Sequence, residues 1–364
     1  MDFEGISYLS AHMQDYAIAL VISLLLSLAI YKTHDYHHHL TSDDVDGVQK
    51  FHSHSVPRVG GIAIYLTLWL VSFFLDNNSN GILRPVLYAV IPAFLSGLVE
   101  DITAKINPAI RLFSILLAGL LICLTTGISL KSLNVIGLDQ LIAIPMISVL
   151  VTAFMLAGVA NAINIIDGFN GLSSGSVIIF LSTFAGISFS VNDFYLGGIC
   201  LLLAATILGF WLVNYPFGRL FLGDGGAYLI GFFLAWIAVL LPYRNGISSW
   251  VSLLVCSYPV IEVLVSIVRR KINGQDPSQP DCGHMHSLIK LVLVSRHFAH
   301  KPDWWRNSMV FIITLPYTLI SQSLALAFYA ERSQLVLAFI ICALLYMSIY
   351  QYLAGKFQYL TQPQ

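Results

Sequence analysis

The chain has 364 residues, of which 57% are hydrophobic and only 10% charged, with a formal net charge of −1 at neutral pH. A soluble domain carries about a quarter charged residues, so these proportions exclude a soluble globular protein and predict an all-α polytopic integral membrane protein. A net charge near zero gives no electrostatic basis for a nucleic-acid partner.

A membrane-crossing helix needs about 20 apolar residues. Runs of this kind predict about eleven spans: 17–31, 59–75, 85–99, 110–126, 141–159, 172–190, 195–213, 226–242, 248–268, 308–328 and 333–354. The first run ends without a small-residue cleavage site and reads as a retained span. Two hydrophilic stretches are long, 32–58 and 269–307. The joints at Asn192-Asp193 and Tyr243-Arg244-Asn245-Gly246 suffice only for hairpins. The cysteines are scattered with no C-x-x-C spacing, so neither a disulfide framework nor a zinc site is expected.

With the N-terminus outside, alternation sends Lys32, Lys50, Arg58, Lys105, Arg111, Arg219, Arg269, Arg270, Lys271, Lys290, Arg296, Lys301, Arg306 and Lys356 to one side. The other side receives Arg84, Lys131, Arg244 and Arg332. The positive-inside rule makes the rich side cytoplasmic, and an odd number of spans puts the C-terminus there too. The reading is a single transmembrane catalytic domain over residues 1–364, with cytoplasmic loops 32–58, 100–109, 160–171, 214–225 and 269–307 forming one composite site.

These loops hold the unusual polar residues. Glu100-Asp101 closes a span with adjacent carboxylates, which suits a general base, a divalent metal or a helix cap. Asn161 to Leu172 directly continues an apolar run with three asparagines, one aspartate and two glycines, a costly insertion unless it binds something. Asp224 sits among glycines, which let backbone approach a ligand closely. Oxygen donors without nearby thiolates favour Mg²⁺, with Mn²⁺ as the alternative. A magnesium–phosphate site fits Asn164, Asp167 and Asp224. His284-Met-His286 lacks the further ligands of a zinc site, so phosphate hydrogen bonding is its better functional reading.

Five segments in order resemble the polyprenyl-phosphate N-acetylhexosamine-1-phosphate transferases, over nearly the whole chain from Lys50 to Ser287. Lys50-Phe-His52-Ser-His-Ser-Val-Pro57-Arg58-Val-Gly60-Gly61 is similar to R-K-x-H-x-x-P-x-P-R-x-G-G, with Gln49 and Ser55 as departures. Glu100-Asp101 with Asn107-Pro108 and Arg111-Leu112 resembles D-D followed by S-P-x-x-R-L. Asn161-x-x-Asn164-x-x-Asp167-Gly168-x-Asn170-Gly171-Leu172 resembles N-x-x-N-x-x-D-G-x-D-G-L. Phe221-Leu-Gly-Asp224 is the fourth segment. Asp281 to Ser287 resembles D-x-x-H-x-H-H with its last histidine replaced. Glu100 and Asn170 stand where the family has aspartates, so base or metal roles are not carried to Asn170.

The resemblance implies transfer of a sugar 1-phosphate from a UDP-N-acetylhexosamine, with UDP-GlcNAc the default, to undecaprenyl phosphate, releasing UMP. It implies initiation of O-antigen-like cell-surface polysaccharide synthesis at a bacterial inner membrane, with the site facing the cytoplasm. Asn164 and Asp224 would hold Mg²⁺. Asp101, beside Glu100, would deprotonate or position the lipid phosphate, and Asp167 would order the metal site or nucleotide. Asn170 and Phe221 would border the uridine. Lys50, His52, Arg58, Asn161, Arg269, His284 and His286 are the remaining candidate substrate ligands. A homodimer in the bilayer is compatible with exposed apolar faces. The alternatives are a catalytically lost member serving as an assembly partner, and a transporter.

Overall fold

The computed structural model describes residues 3–41, 56–135, 137–274 and 283–361, and every regular element among them is a helix. Helix α1 (Phe3–Lys32) is followed by the short α2 (His34–Thr41), then α3 (Gly60–Val71), α4 (Asn77–Ala89) and α5 (Ile91–Thr103). Next come α6 (Pro108–Thr126), the short α7 (Leu138–Ile142), α8 (Pro145–Ile166), α9 (Leu172–Ser190), α10 (Phe194–Asn214) and α11 (Gly223–Asn245). The chain continues with α12 (Trp250–Val255), α13 (Ser257–Ile272), α14 (Met285–Leu288), a π-helical turn over Ile289–Val294 and α15 (Ser295–His297). Two long helices, α16 (Asp303–Phe328) and α17 (Arg332–Thr361), end the bundle.

Local chemistry sets several helix starts. Asp76 accepts the N–H groups of Asn78 and Ser79 at 2.8 and 3.0 Å and begins α4. Asn107 accepts the Ala109 N–H at 2.8 Å, and Pro108 fills the first helical position of α6.

The chain is a polytopic membrane protein, but eleven uninterrupted spans are not what forms. Among the described residues, eight helices are long and apolar enough to cross a bilayer. The pair α4–α5, bent by 49°, is a ninth candidate, as a broken span or a re-entrant loop. Pro92 explains the bend, because it has no N–H for the preceding turn. Helix α3 has 12 residues, about 18 Å of rise, short of a hydrocarbon core of about 30 Å. It stops where Arg84 donates to the Ser72 carbonyl at 2.8 Å. The predicted span 248–268 is divided at Cys256 into α12 and α13. Pro259 cannot donate to the Val255 carbonyl, which accepts the Gln322 side-chain amide at 3.0 Å instead.

Helix α11 is the hub. It packs on α8, α5, α9 and α3, and 89% of its most apolar stretch is buried. Helix α1, 17% buried over the same kind of stretch, covers α10 and α3 from outside. At the start of α11 the backbones meet glycine to glycine. A Cβ on Gly97 of α5 would collide with the backbone of Gly225, and one on Gly61 of α3 with that of Gly226.

The far end of α11 is tied by polar contacts. Arg244 donates to both oxygens of Asp193 at 2.6 and 2.9 Å, and the Asn245 amide adds a third donor at 3.1 Å. Asp193 also caps α10 by accepting the Leu196 N–H at 3.3 Å. Asn134 accepts from the Ser248 hydroxyl and the Ser249 N–H at 2.8 and 3.1 Å, joining the loop before α7 to the loop before α12.

Candidate active site

The site is assembled around the first turn of α11. Gly223 has φ +77°, and a Cβ there would strike the Arg58 carbonyl and the Asp101 carboxylate. Only glycine accepts both demands. Residues 57–61 lie along this turn: the Phe221 N–H donates to the Pro57 carbonyl at 2.9 Å, Gly60 to Phe221 at 2.9 Å and Gly61 to Leu222 at 3.0 Å. This pairing carries Arg58 to the carboxylates. Its guanidinium lies 3.7 Å from Asp101 and 3.6 Å from Asp224.

Asp101 comes from the last turn of α5. Its two oxygens accept the Asp224 and Gly225 N–H groups at 2.8 and 3.0 Å, and its side chain is 1% exposed. It therefore satisfies open donors at a helix start. Glu100 accepts the Ile106 N–H at 2.6 Å and shapes the turn before α6. That turn delivers Arg111, which forms an ion pair with Asp224.

Asn164 lies in the last turn of α8 and donates its amide to Asp224 Oδ1 at 3.0 Å. Exchanging its amide O and N would aim Oδ1 at the same point. Asn161 sits one turn earlier and is half-buried. Asp167 follows α8 and accepts the Ser173 hydroxyl. Burial pushes its carboxyl up to about 7; the Ser173 bond opposes that rise and the charge of Asp224 adds to it. Asn170 is 5% exposed and donates to the Pro216 carbonyl at 2.9 Å. Here the amide fastens the site loop to the α10–α11 connection. Phe221, in that connection, is half-buried.

The histidine segment reaches the same place. The His286 ring meets Phe169 edge-on with centroids 5.8 Å apart, and its Nε2 lies 3.6 Å from where a Gly168 Cβ would stand. His284 stacks on His286 with centroids 5.3 Å apart and planes 3° from parallel. Burial pushes His286 down to about 4, against the pull of Glu262. The Arg269 guanidinium lies against Gly283, at the entry to this segment. Lys50, His52 and Asp281 lie outside the described residues.

Three participants go unassigned by the motif reading. Arg111 is one of several basic residues in sequence, yet here it meets Asp224 directly. Asn214 accepts the Gly171 N–H at 2.6 Å and donates to the Leu220 carbonyl at 2.8 Å, stitching two motif loops together. Glu262 holds the histidine segment: Oε1 accepts from His284 Nδ1 at 3.0 Å and from the Met285 N–H at 3.1 Å. The signal for Glu262 was a single carboxylate inside the apolar run Tyr258-Pro-Val-Ile-Glu-Val-Leu264.

This arrangement puts acidic oxygens, two guanidiniums and two imidazoles at one end of a helical membrane bundle, the pattern of a site for a charged, phosphate-bearing substrate. Residues 83–242, which hold Asp101, Asn164, Asp167 and Asp224, match the family model described as glycosyl transferase family 4. The chain is 25% identical over 246 residues to a probable undecaprenyl-phosphate N-acetylglucosaminyl 1-phosphate transferase of Bacillus subtilis (strain 168), covering 66% of this chain and 67% of that one. It is 27% identical over 276 residues to an undecaprenyl-phosphate alpha-N-acetylglucosaminyl 1-phosphate transferase of Thermotoga maritima, covering 76% and 79%. A phospho-N-acetylmuramoyl-pentapeptide-transferase of Streptococcus uberis is 26% identical over 200 residues, covering 51% and 59%. These matches make the chain similar to glycosyl transferase family 4 over residues 83–242 and support that family.

Proposed function

We propose that this chain transfers a sugar 1-phosphate from a UDP-N-acetylhexosamine, UDP-GlcNAc by default, to undecaprenyl phosphate. The product begins a cell-surface polysaccharide at a bacterial inner membrane. An oxygen of the lipid phosphate attacks the sugar-bearing phosphorus, the bond to the bridging oxygen breaks, and UMP departs with it. The observation that carries this reading is the convergence on Asp224 of Arg58, Arg111 and Asn164 from three separate motifs.

Phosphoryl transfer needs positioning and neutralised charge more than a strong base. Arg58 and Arg111 are the groups placed to hold phosphate oxygens. The acceptor phosphate is already largely ionised near neutral pH, and both oxygens of Asp101 are engaged by backbone amides. Asp101 is therefore read as positioning Asp224 rather than as a base. Asp224 and, with its amide turned over, Asn164 would supply two hard oxygen donors side by side, a set suited to Mg²⁺. When bound, the ion would polarise the diphosphate and neutralise charge on it. A site at helix ends lets a soluble nucleotide and a membrane-held phosphate meet, and the excess of Lys and Arg in the adjoining loops supports a cytoplasmic location.

The test is UMP release by the purified full-length chain with undecaprenyl phosphate and a panel of UDP-N-acetylhexosamines. Turnover that requires both substrates and a divalent cation is expected, and the panel identifies the sugar. No UMP from any member of the panel would sink the reading and favour an assembly partner without catalysis.

A further inference from the structure

Glu262 is 1% exposed, in an apolar helix, and its two well-formed hydrogen bonds fall on one carboxylate oxygen. Oε1 takes two donors, from His284 and Met285. Oε2 makes no bond of strict hydrogen-bond geometry, and neither do His286 Nδ1, which faces it at 3.9 Å, nor the Tyr346 hydroxyl, a second donor acting on the same carboxylate. Leaving such atoms unmatched is costly. Displacement of the carboxylate or the imidazole by about an ångström would bring the gap between them into hydrogen-bonding range. The opposite edge of the same ring, Nε2, points to Gly168 in the Asn161–Leu172 segment.

We infer that Glu262 is a positioning residue acting through His286: it turns the Nδ1 edges of both histidines inward, and Oε2 takes the Nδ1–H of His286 when a substrate phosphate oxygen engages Nε2. A neutral imidazole carries one N–H. With a proton drawn from solvent, the imidazolium donates on both sides, between a buried carboxylate and an anionic substrate. The carboxylate thereby fixes ring orientation and tautomer. No bond in Glu262 changes. The groups acting on the carboxylate include His284, His286, Tyr258, Tyr317 and Tyr346. The charges that favour the carboxylate come from these two histidines, its natural counter-charges. This assignment rests on the transferase reading, and it lies beyond residues 83–242, where the family model matches.

The test is a double-mutant cycle on the full chain in detergent, with UDP-GlcNAc and undecaprenyl phosphate. Glu262→Gln preserves shape but removes the charge. It should lower kcat about 10–100-fold with little change in KM, and Glu262→Asp should recover part of the loss. In a His286→Ala background, the loss on Glu262→Gln should shrink several-fold, with any remainder acting through His284. Equal losses in both backgrounds would mean that Glu262 merely packs, and would overturn the inference. Should the wild-type chain turn over no UDP-sugar, the transferase reading fails by itself. Nitrogen spectra of histidine-labelled protein then decide: Nδ1-protonated His284 and His286 that change in Glu262→Gln support positioning, and unchanged spectra reject it.

Discussion

At the end of α11 away from the site, Asp193 meets three side-chain donors from Arg244 and Asn245 between 2.6 and 3.1 Å and one backbone donor. At the other end, Asp224 meets Arg111, an Arg58 guanidinium held at 3.6 Å and the Asn164 amide, with Asp167 close enough to feel its charge. Both carboxylates have donors on both oxygens, but those of the first come from neighbouring joints and tie α10 to α11. The second is surrounded by groups that could all turn to a ligand, and its neighbours compete for the same cations. Matched pairing makes a clamp, and crowded charge makes a site.

The comparison can be broken from its stronger side. Asp224→Ala should lower turnover by at least about 10²-fold while the melting temperature in detergent stays near wild type, measured by UMP release and thermal unfolding. Near-normal kcat would remove Asp224 from the site. Arg244→Ala should do the reverse. It leaves the Asp193 carboxylate with fewer partners and should cost about 1–3 kcal/mol of stability, with kcat of the folded fraction unchanged. A kcat loss there without a stability loss would contradict the contrast. The smallest effect concerns pH. Burial pushes Asp193 up, but the hydrogen bonds and charge of Arg244, with Asn245 and the Leu196 N–H, hold it below its ordinary value. Its stabilisation is therefore present above the unfolded-state value of about 3.9 and is lost as pH falls through the lower folded value. Melting temperatures should drop below about pH 4, less steeply in Arg244→Ala than in wild type; identical slopes would show that Asp193 is not the group responsible.

Much of the site end is legible in sequence, because each polar motif abuts a long apolar run. Asp101, Asn164, Asp167, Asp224 and His286 are all found there. What is not legible is which atoms their side chains engage. Asp101 reads as a candidate base, and only the fold brings to it the two amides that occupy it. Asn170 looks like a substrate ligand, yet its amide reaches the Pro216 carbonyl. The break at Cys256 depends on Gln322, far along the chain, supplying the donor that Pro259 lacks. Asp193 and Arg244 read as hairpin joints because their pairing spans two separate turns.

The glycine crossing at the head of α11 has a consequence for mutational tolerance. Gly61, Gly97, Gly225 and Gly226 contribute no side chain, yet their backbones set where α11 begins and so where Asp224 stands. A methyl group added at Gly97 would push α5 and α11 apart, moving Asp101 away from the amides it holds. Lesions in the greasy interior would thus register as chemical defects in a protein that still folds and still sits in the membrane. Inactive variants mapping to featureless apolar helix should be sought there first, and suppressors should be sought among the residues that could let α5 retreat.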